Sequence, residues 1–217
     1  MNFGKAFTFV FDDPEWLKKV AINALIGLIP IIGALYLLGW GLEVARRIAI
    51  QSPIPLPDVD FGTFLGHGLK AFVVGLVYTL PIWIVTIPMV VIALVVEGAG
   101  MDREVANVLL MITNLCGGLL LLLYGLLMGL VLPAALTRTV VYGSIKSGLQ
   151  FGSVLGLVRA APGAYIVTLL GTFVAGLLAA FVGTLACGIG LIFTAAYQQA
   201  VMGHFYGQAY LRASAGR

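Results

Sequence analysis

Charge is what this sequence has least of. Of its 217 residues only 10% are Asp, Glu, Lys or Arg, where soluble domains carry about 25%. Hydrophobic residues make up 61%, and the mean hydropathy is +1.08. A soluble fold of this size has too little interior to hide that much apolar surface. Cysteine is scarce as well. Cys116 and Cys187 are isolated thiols in apolar surroundings with no CxxC, which excludes a zinc or dithiol motif and leaves two small hydrophobes. The two histidines, His67 and His204, are far apart in sequence and have no Asp or Glu close by, so no metal site is expected. The phosphate-cradling GxxxxGK[ST], the GxSxG elbow and HExxH are missing. The net charge is +3, but the basic residues are dispersed with no aromatic-studded strip, which argues against nucleic acid. Phe7–Phe11 is too short for a signal-peptide core and runs into Asp12, Asp13 and Pro14, so the N-terminus is expected to be retained.

What the chain does have is long apolar runs. A helix needs about 20 apolar residues to cross a bilayer. Ala71–Val96, Val105–Leu136 and Ala164–Ala186 qualify, and Leu191–Tyr210 is less apolar but long enough. Val20–Leu42 is apolar but broken, and none of the five runs contains Asp, Glu, Lys or Arg. Full spans are therefore expected at about 71–96, 105–134, 164–186 and 190–211.

Three shorter segments open on the same dipeptide, Phe3-Gly4, Phe61-Gly62 and Phe151-Gly152. Each is apolar at i, i+3, i+4 and i+7 or close to it, as a helix lying in the headgroup plane should be. Interfacial helices are expected at about 3–12, 58–69 and 148–160. Pro14 and Pro162 each follow eleven residues after the first and third of these phenylalanines, where a new helix should begin. That shared layout fits either an internal duplication or one physical solution used twice. Pro53, Pro55 and Pro57 keep the loop at residues 51–60 extended, and Asp58 or Asp60 can cap the helix that follows.

Charge sets the expected topology, because cytoplasmic loops collect Lys and Arg. Lys5, Lys18 and Lys19 precede the broken run, and Arg46, Arg47 and Lys70 follow it. Arg138, Lys146 and Arg159 lie between the third and fourth runs, and Arg212 and Arg217 end the chain. Only the loop Glu97–Glu104 is acidic. All basic gaps share one side if the run 20–42 enters and returns. Ile29-Pro30-Ile31-Ile32-Gly33 offers the reversal, since Pro breaks the hydrogen-bond ladder and Gly permits a turn. The competing reading is one Pro-kinked helix. The expected fold is all-α: a single integral membrane domain over residues 1–217. It would be a polytopic bundle of four spans in two hairpins, with an N-terminal re-entrant or Pro-kinked helix and three interfacial helices. It would be a multi-pass protein of the cell membrane with both termini cytoplasmic.

No catalytic set and no cofactor motif is found. Lys5, Lys18, Lys19, Arg46, Arg47, Lys70 and Arg159 are candidate contacts for lipid headgroups. Glu43 can pair with Arg47 at i, i+4, which would leave Arg46 free for a phosphate. Gln198, Gln199 and His204 form a candidate intramembrane polar cluster in the most polar span. Asn23, Asn107 and Asn114 read as helix–helix hydrogen bonds, and the pairs Gly125/Gly129 and Gly203/Gly207 as sites of close helix approach.

Several stretches resemble one known family. They are Phe11-Asp12-Asp13-Pro14-Glu15-Trp16 with Lys18-Lys19, Leu28-Ile29-Pro30-Ile31-Ile32-Gly33, Gly39-Trp40, Arg46-Arg47, Leu56-Pro57-Asp58, Phe61-Gly62, Gly68-Leu69-Lys70 and Tyr78 with Pro81. Together they resemble the DUF4013 family of bacterial and archaeal membrane proteins of unknown function, most densely over the first 85 residues or so. Gly39-Trp40 stands where Gly-Tyr would be expected. The resemblance implies a multi-span membrane protein and carries no activity and no functional residues. The expected function is therefore a non-enzymatic scaffold, accessory subunit or membrane-shaping protein that contacts lipid through its interfacial helices. A transporter or channel component is the alternative, and a lipid-modifying enzyme a third. Membrane lipids are the expected partners, with a homo-oligomer or a larger membrane complex left open.

Overall fold

The computed structural model describes residues 1–186 and 188–215, and of Ile189 the backbone only; Cys187 and Arg217 lie outside the described residues. Among the described residues every regular element is helical. Helix α1 (Phe3–Thr8) runs into a 3-10 turn at Phe9–Asp12, then α2 (Trp16–Ile26), α3 (Ile32–Ala49), α4 (Phe61–Gly98) and α5 (Arg103–Val141). A single turn, α6 (Ile145–Gly148), precedes α7 (Phe151–Ala160), α8 (Pro162–Leu185) and α9 (Ile189–Ala215).

Local chemistry explains the starts. The Asn2 side chain accepts from the Lys5 N–H and caps α1. Asp13 accepts from the Glu15 N–H at 2.8 Å, which turns the chain into α2. Asp60 accepts from the backbone and the hydroxyl of Thr63, opening α4. Pro162 occupies the first turn of α8, where its missing N–H has no consequence.

The broken run 20–42 is a hairpin of two helices. The Tyr36 hydroxyl donates to Asn23 Oδ1 at 2.6 Å across the arms, and the Asn23 amide donates to the Lys19 carbonyl at 2.7 Å. Ile31 turns the corner at φ +63°. Gly33 lies so close to the Gly27 carbonyl that a Cβ there would sit 2.4 Å from the oxygen. The expected second interfacial helix, 58–69, does not exist as a separate element. It forms the opening turns of α4, which continues without interruption to Gly98. The segment lacks a breaker at Leu69-Lys70-Ala71, and Gly68 serves close packing instead: a Cβ there would fall 1.8 Å from the Leu35 carbonyl of α3. The third segment, expected at 148–160, is a separate helix, α7, which starts three residues later at Phe151, after the turn α6.

Three helices among the described residues, α4, α5 and α8, are long and apolar enough to cross a membrane. The expected fourth, α9, is about 40 Å long at 1.5 Å per residue, but it is not apolar enough to join them. Its packing gives the reason. Ala196, Ala200, Val201, Gly203, Phe205, Gly207, Ala209 and Ala213 are buried against other helices. A helix sheathed in protein does not have to match lipid.

The chain divides into two compact units, residues 1–75 with the chain from Leu130 onward, and residues 76–129. The first unit is built on α9. The helix lies against α3 where Gly41 meets Gly203: a Cβ on Gly203 would be 1.9 Å from the Gly41 carbonyl. Trp40, Tyr36, Phe9, Phe64 and Leu56 fill one core, and Phe205 with Ala6, Ala175 and Val201 a second. The second unit pairs residues 76–98 with 103–129 through a turn at Gly100 (φ +60°). These stretches are about 34 and 40 Å long, each more than a hydrocarbon core of about 30 Å. They meet where Gly117 packs on Met89 and where the Tyr124 hydroxyl donates to the Tyr78 carbonyl. Most of the remaining surface is apolar and exposed, as at Ile84 and Leu115.

Candidate functional site

Two clusters of charged side chains flank the broken run, one around Lys19 where it begins and one around Glu43 where it ends. Lys19 lies on the first turns of α2. Its ammonium is buried and reaches Asp13 at 2.7 Å, Asp58 at 2.9 Å and the Leu56 carbonyl at 3.3 Å. Burial works against the charged form, but the two carboxylates outweigh it and hold Lys19 above the ordinary lysine value. In return Lys19 holds Asp58 below the usual carboxylate range. This ammonium ties α2 to the proline-rich loop.

Glu43 plays the opposite part at the end of α3. It is buried, and Arg46 grips both of its oxygens at 2.8 Å. Arg47 adds a bond at 3.1 Å and donates to the Ile54 carbonyl at 3.2 Å. His67 Nδ1 stands 3.5 Å from the same carboxylate. Burial alone would raise the Glu43 pKa, but the hydrogen bonds and charge of the arginines reverse the sign and hold it below the ordinary value.

Beside the Lys19 cluster the N-terminal segment and the loop line a cavity of about 610 Å³. Its rim carries Lys5, Asp12, Glu15 and Asp58, all exposed, and its floor has Phe9, Leu56 and His204, all buried. Lys5 pairs with Asp12. Ile48, Pro53, Ile54 and Pro55 supply an apolar wall. The His204 ring stacks on Phe9 with 4.4 Å between centroids. Its Nδ1 lies 3.1 Å from Gln208 Nε2, and Gln208 Oε1 accepts from the Asn2 backbone N–H at 3.0 Å. A backbone N–H can only donate, so the Gln208 NH₂ faces the ring. His204 Nδ1 is then the acceptor, and the ring proton sits on Nε2. The cavity thus combines both signs of charge at its rim with an imidazole and an apolar floor. That mixture suits an amphiphile with a polar head.

The seven candidate headgroup residues fall into different surroundings. Lys5 and Lys19 line the cavity, whereas Lys18 is exposed beside Glu15. Arg46 and Arg47 are turned onto Glu43, so Arg46 is held rather than free. Lys70 donates to the Gly143 carbonyl at 3.0 Å, and Arg159 is exposed at the end of α7. The structure does not assemble Gln198, Gln199 and His204 into one cluster. Gln198 Nε2 lies 3.9 Å from Met202 Sδ, Gln199 lies against Gly41, and His204 faces Phe9. Sequence reasoning missed Phe9, Gln208 and Asp13 as neighbours of these groups. Only Asp13 left a signal, in its place before Pro14.

The comparisons with known proteins add one result. No curated protein and no solved structure gives a match. A family described as Protein of unknown function (DUF4013) matches over residues 22–188. The matched stretch takes in most of the α2–α3 hairpin, the proline-rich loop and the helices through α8, and leaves out Phe11–Lys19 and α9. Since that is well over half of its length, the chain belongs to the DUF4013 family.

Proposed function

We propose that this is a multi-pass protein of the cell membrane that works as a non-catalytic scaffold, holding lipid headgroups at its cytoplasmic face. In this reading α4, α5, α8 and α9 cross the bilayer, α2 and α3 enter and return, and both termini are cytoplasmic. The cavity under the proline-rich loop carries the proposal. It lies among the charged side chains that end the apolar helices, and it offers a charged rim above an apolar floor. The carboxylates of the first unit's charged clusters favour holding over catalysis. Asp12 faces Lys5, Asp13 and Asp58 face Lys19, and Glu43 faces two arginines. Asp58 and Glu43, held below the usual carboxylate range by their cations, are weak bases. On α7, Phe151 and Leu155 point outward while Val154 and Leu157 are buried, which leaves an apolar ridge to enter one leaflet.

Reconstitution in liposomes of defined size and headgroup composition tests the proposal. Phe151→Asp with Leu155→Asp should abolish curvature preference while the protein still inserts. Reporter fusions at residues 1 and 217 should report the same side. Fusions on opposite sides would remove the re-entrant hairpin from the reading. The second reading, a transporter component, is favoured by His204 on the cavity floor. His204→Phe keeps the stacking and removes the N–H. If that variant alone abolishes function while the double Asp variant behaves as wild type, the transporter reading replaces the scaffold.

A further inference from the structure

The second unit contains two polar side chains for which its own fold provides no use. Asn107 and Asn114 lie on α5, 4 and 11 residues after Arg103, so Asn114 stands about 16 Å along the helix from its polar end. That is near the middle of a hydrocarbon core of about 30 Å. Both amides are exposed, and among the described residues neither has a hydrogen-bond partner. An amide facing lipid tails without a partner is unfavourable, and in membranes such groups associate across helices.

Helical spacing adds a second observation. At about 100° per residue, Asn107, Asn114, Gly118 and Gly125 fall within about 20° of one line along α5. A Cβ at Gly118 or Gly125 would meet nothing within 4 Å. The line is not the seam with α4. That seam holds Gly117, packed on Met89, and Tyr124, bonded to the Tyr78 carbonyl, and lies roughly 80° around the helix. So one outward face of α5 carries two unsatisfied amides followed by two open glycines.

We propose that this face is where a second copy of the chain docks, α5 against α5. Its chemistry is complementary to itself. A carboxamide has two donors and an acceptor, so one Asn can pair with an identical Asn. Two copies inserted with the same topology are related by a twofold axis along the membrane normal, which runs their α5 helices parallel and sets each residue opposite its own counterpart. Asn114 then meets Asn114 at mid-bilayer, while Gly118 and Gly125 let the backbones approach. The proposal rests on the membrane placement above and is independent of the scaffold role.

The test uses the full chain in liposomes, with donor- and acceptor-labelled copies mixed and energy transfer followed as lipid is added. Wild type should show a dimer that dissociates with dilution. Asn114→Leu should weaken it about three- to thirtyfold, the range expected for interhelical hydrogen bonds in membranes. Gly118→Ile with Gly125→Ile should abolish it. All three positions are exposed, so the thermal transition of the monomer in detergent should stay unchanged, which separates a lost interface from a lost fold. With Cys116 and Cys187 replaced by Ser, Asn114→Cys should cross-link faster than Leu119→Cys, which lies about 140° away on the same helix. A monomer at every lipid density overturns the proposal. So does Asn114→Leu dimerising like wild type, equal cross-linking at 114 and 119, or a cross-linked product whose mass shows a different chain. Should fusions still place both termini on one side, the membrane reading survives that failure.

Discussion

The two units show opposite ways for a chain to live with apolar surroundings. In residues 1–75 with the chain from Leu130, polar groups are numerous and the buried charges meet protein partners: Lys19 two aspartates, Glu43 two arginines, with Asn23 bonded to a tyrosine. Glycine there marks helix crossings, and aromatic rings fill the gaps. Residues 76–129 have almost no such interior. Gly117 on Met89 and Tyr124 on the Tyr78 carbonyl hold the pair, and leucine, isoleucine and valine face outward. The first unit supplies its own surroundings. The second depends on lipid for most of its contacts, so its stability should follow the solvent more than the side chain.

Truncations should show that contrast most strongly. Phe205 is fully buried, with ring contacts to Phe3 at 5.3 Å and Phe7 at 5.8 Å. Phe205→Ala should destabilise by about 3–5 kcal/mol, whereas Ile84→Ala, at a side chain 75% exposed in the second unit, should change stability by less than about 0.5 kcal/mol. Denaturant titration in one detergent measures both. Equal losses would mean that the second unit has a core of its own.

The charged layer of the first unit comes next. Lys19→Met leaves Asp13 nearly buried without its cation and should lose about 3 kcal/mol. Asp58→Asn removes the exposed partner and should lose under about 1 kcal/mol. Glu43 adds a pH dependence. Its folded pKa lies below the ordinary carboxylate value, so its contribution is complete above that value and is lost as pH falls through the lower, folded one. Melting temperature should therefore fall below roughly pH 4, and Glu43→Gln should flatten that slope. An unchanged slope would assign the acid sensitivity to other carboxylates.

The smallest effect concerns the hairpin tip. Ile31 is 80% exposed and holds φ +63°, a conformation that penalises a β-branched residue. Ile31→Gly should stabilise by about 0.5–1 kcal/mol, the relief of strain exceeding the added flexibility of the unfolded chain. A loss on substitution would show that the isoleucine side chain itself makes a contact in the membrane.

Composition and the length of the apolar runs made the helical class legible, and Pro30 with Gly33 marked the reversal in the first run. Periodicity was less reliable at 58–69. An apolar stripe reads the same whether a helix lies flat on a bilayer or packs on α3, and only a breaker before Ala71 would have separated the two. The i, i+4 rule found Glu43 with Arg47 but ranked the partners wrongly, since Arg46 provides the two-pronged grip. The polar trio in α9 was grouped by nearness in sequence. Helical spacing sets Gln198 and His204 about 120° apart, on different faces of α9. The stack of Phe9 on His204 was not readable, because it joins residues almost 200 positions apart and depends on how α9 packs.

Order of synthesis gives that last contact a further meaning. Asn2 bonds Gln208 across 206 positions, and α3 presents Gly41 to a helix that begins at Ile189. When the first hairpin leaves the ribosome, the helix that will cover it has not been made. Its polar and glycine-lined faces must wait through the synthesis of α4 to α8, and the charged layer cannot close around the cavity until α9 arrives. The first unit therefore completes its fold only after α9 has been made. A ribosome stalled before Ile189 would leave an inserted chain with an open seam along α3, and membrane quality control could recognise that seam as the mark of an unfinished protein.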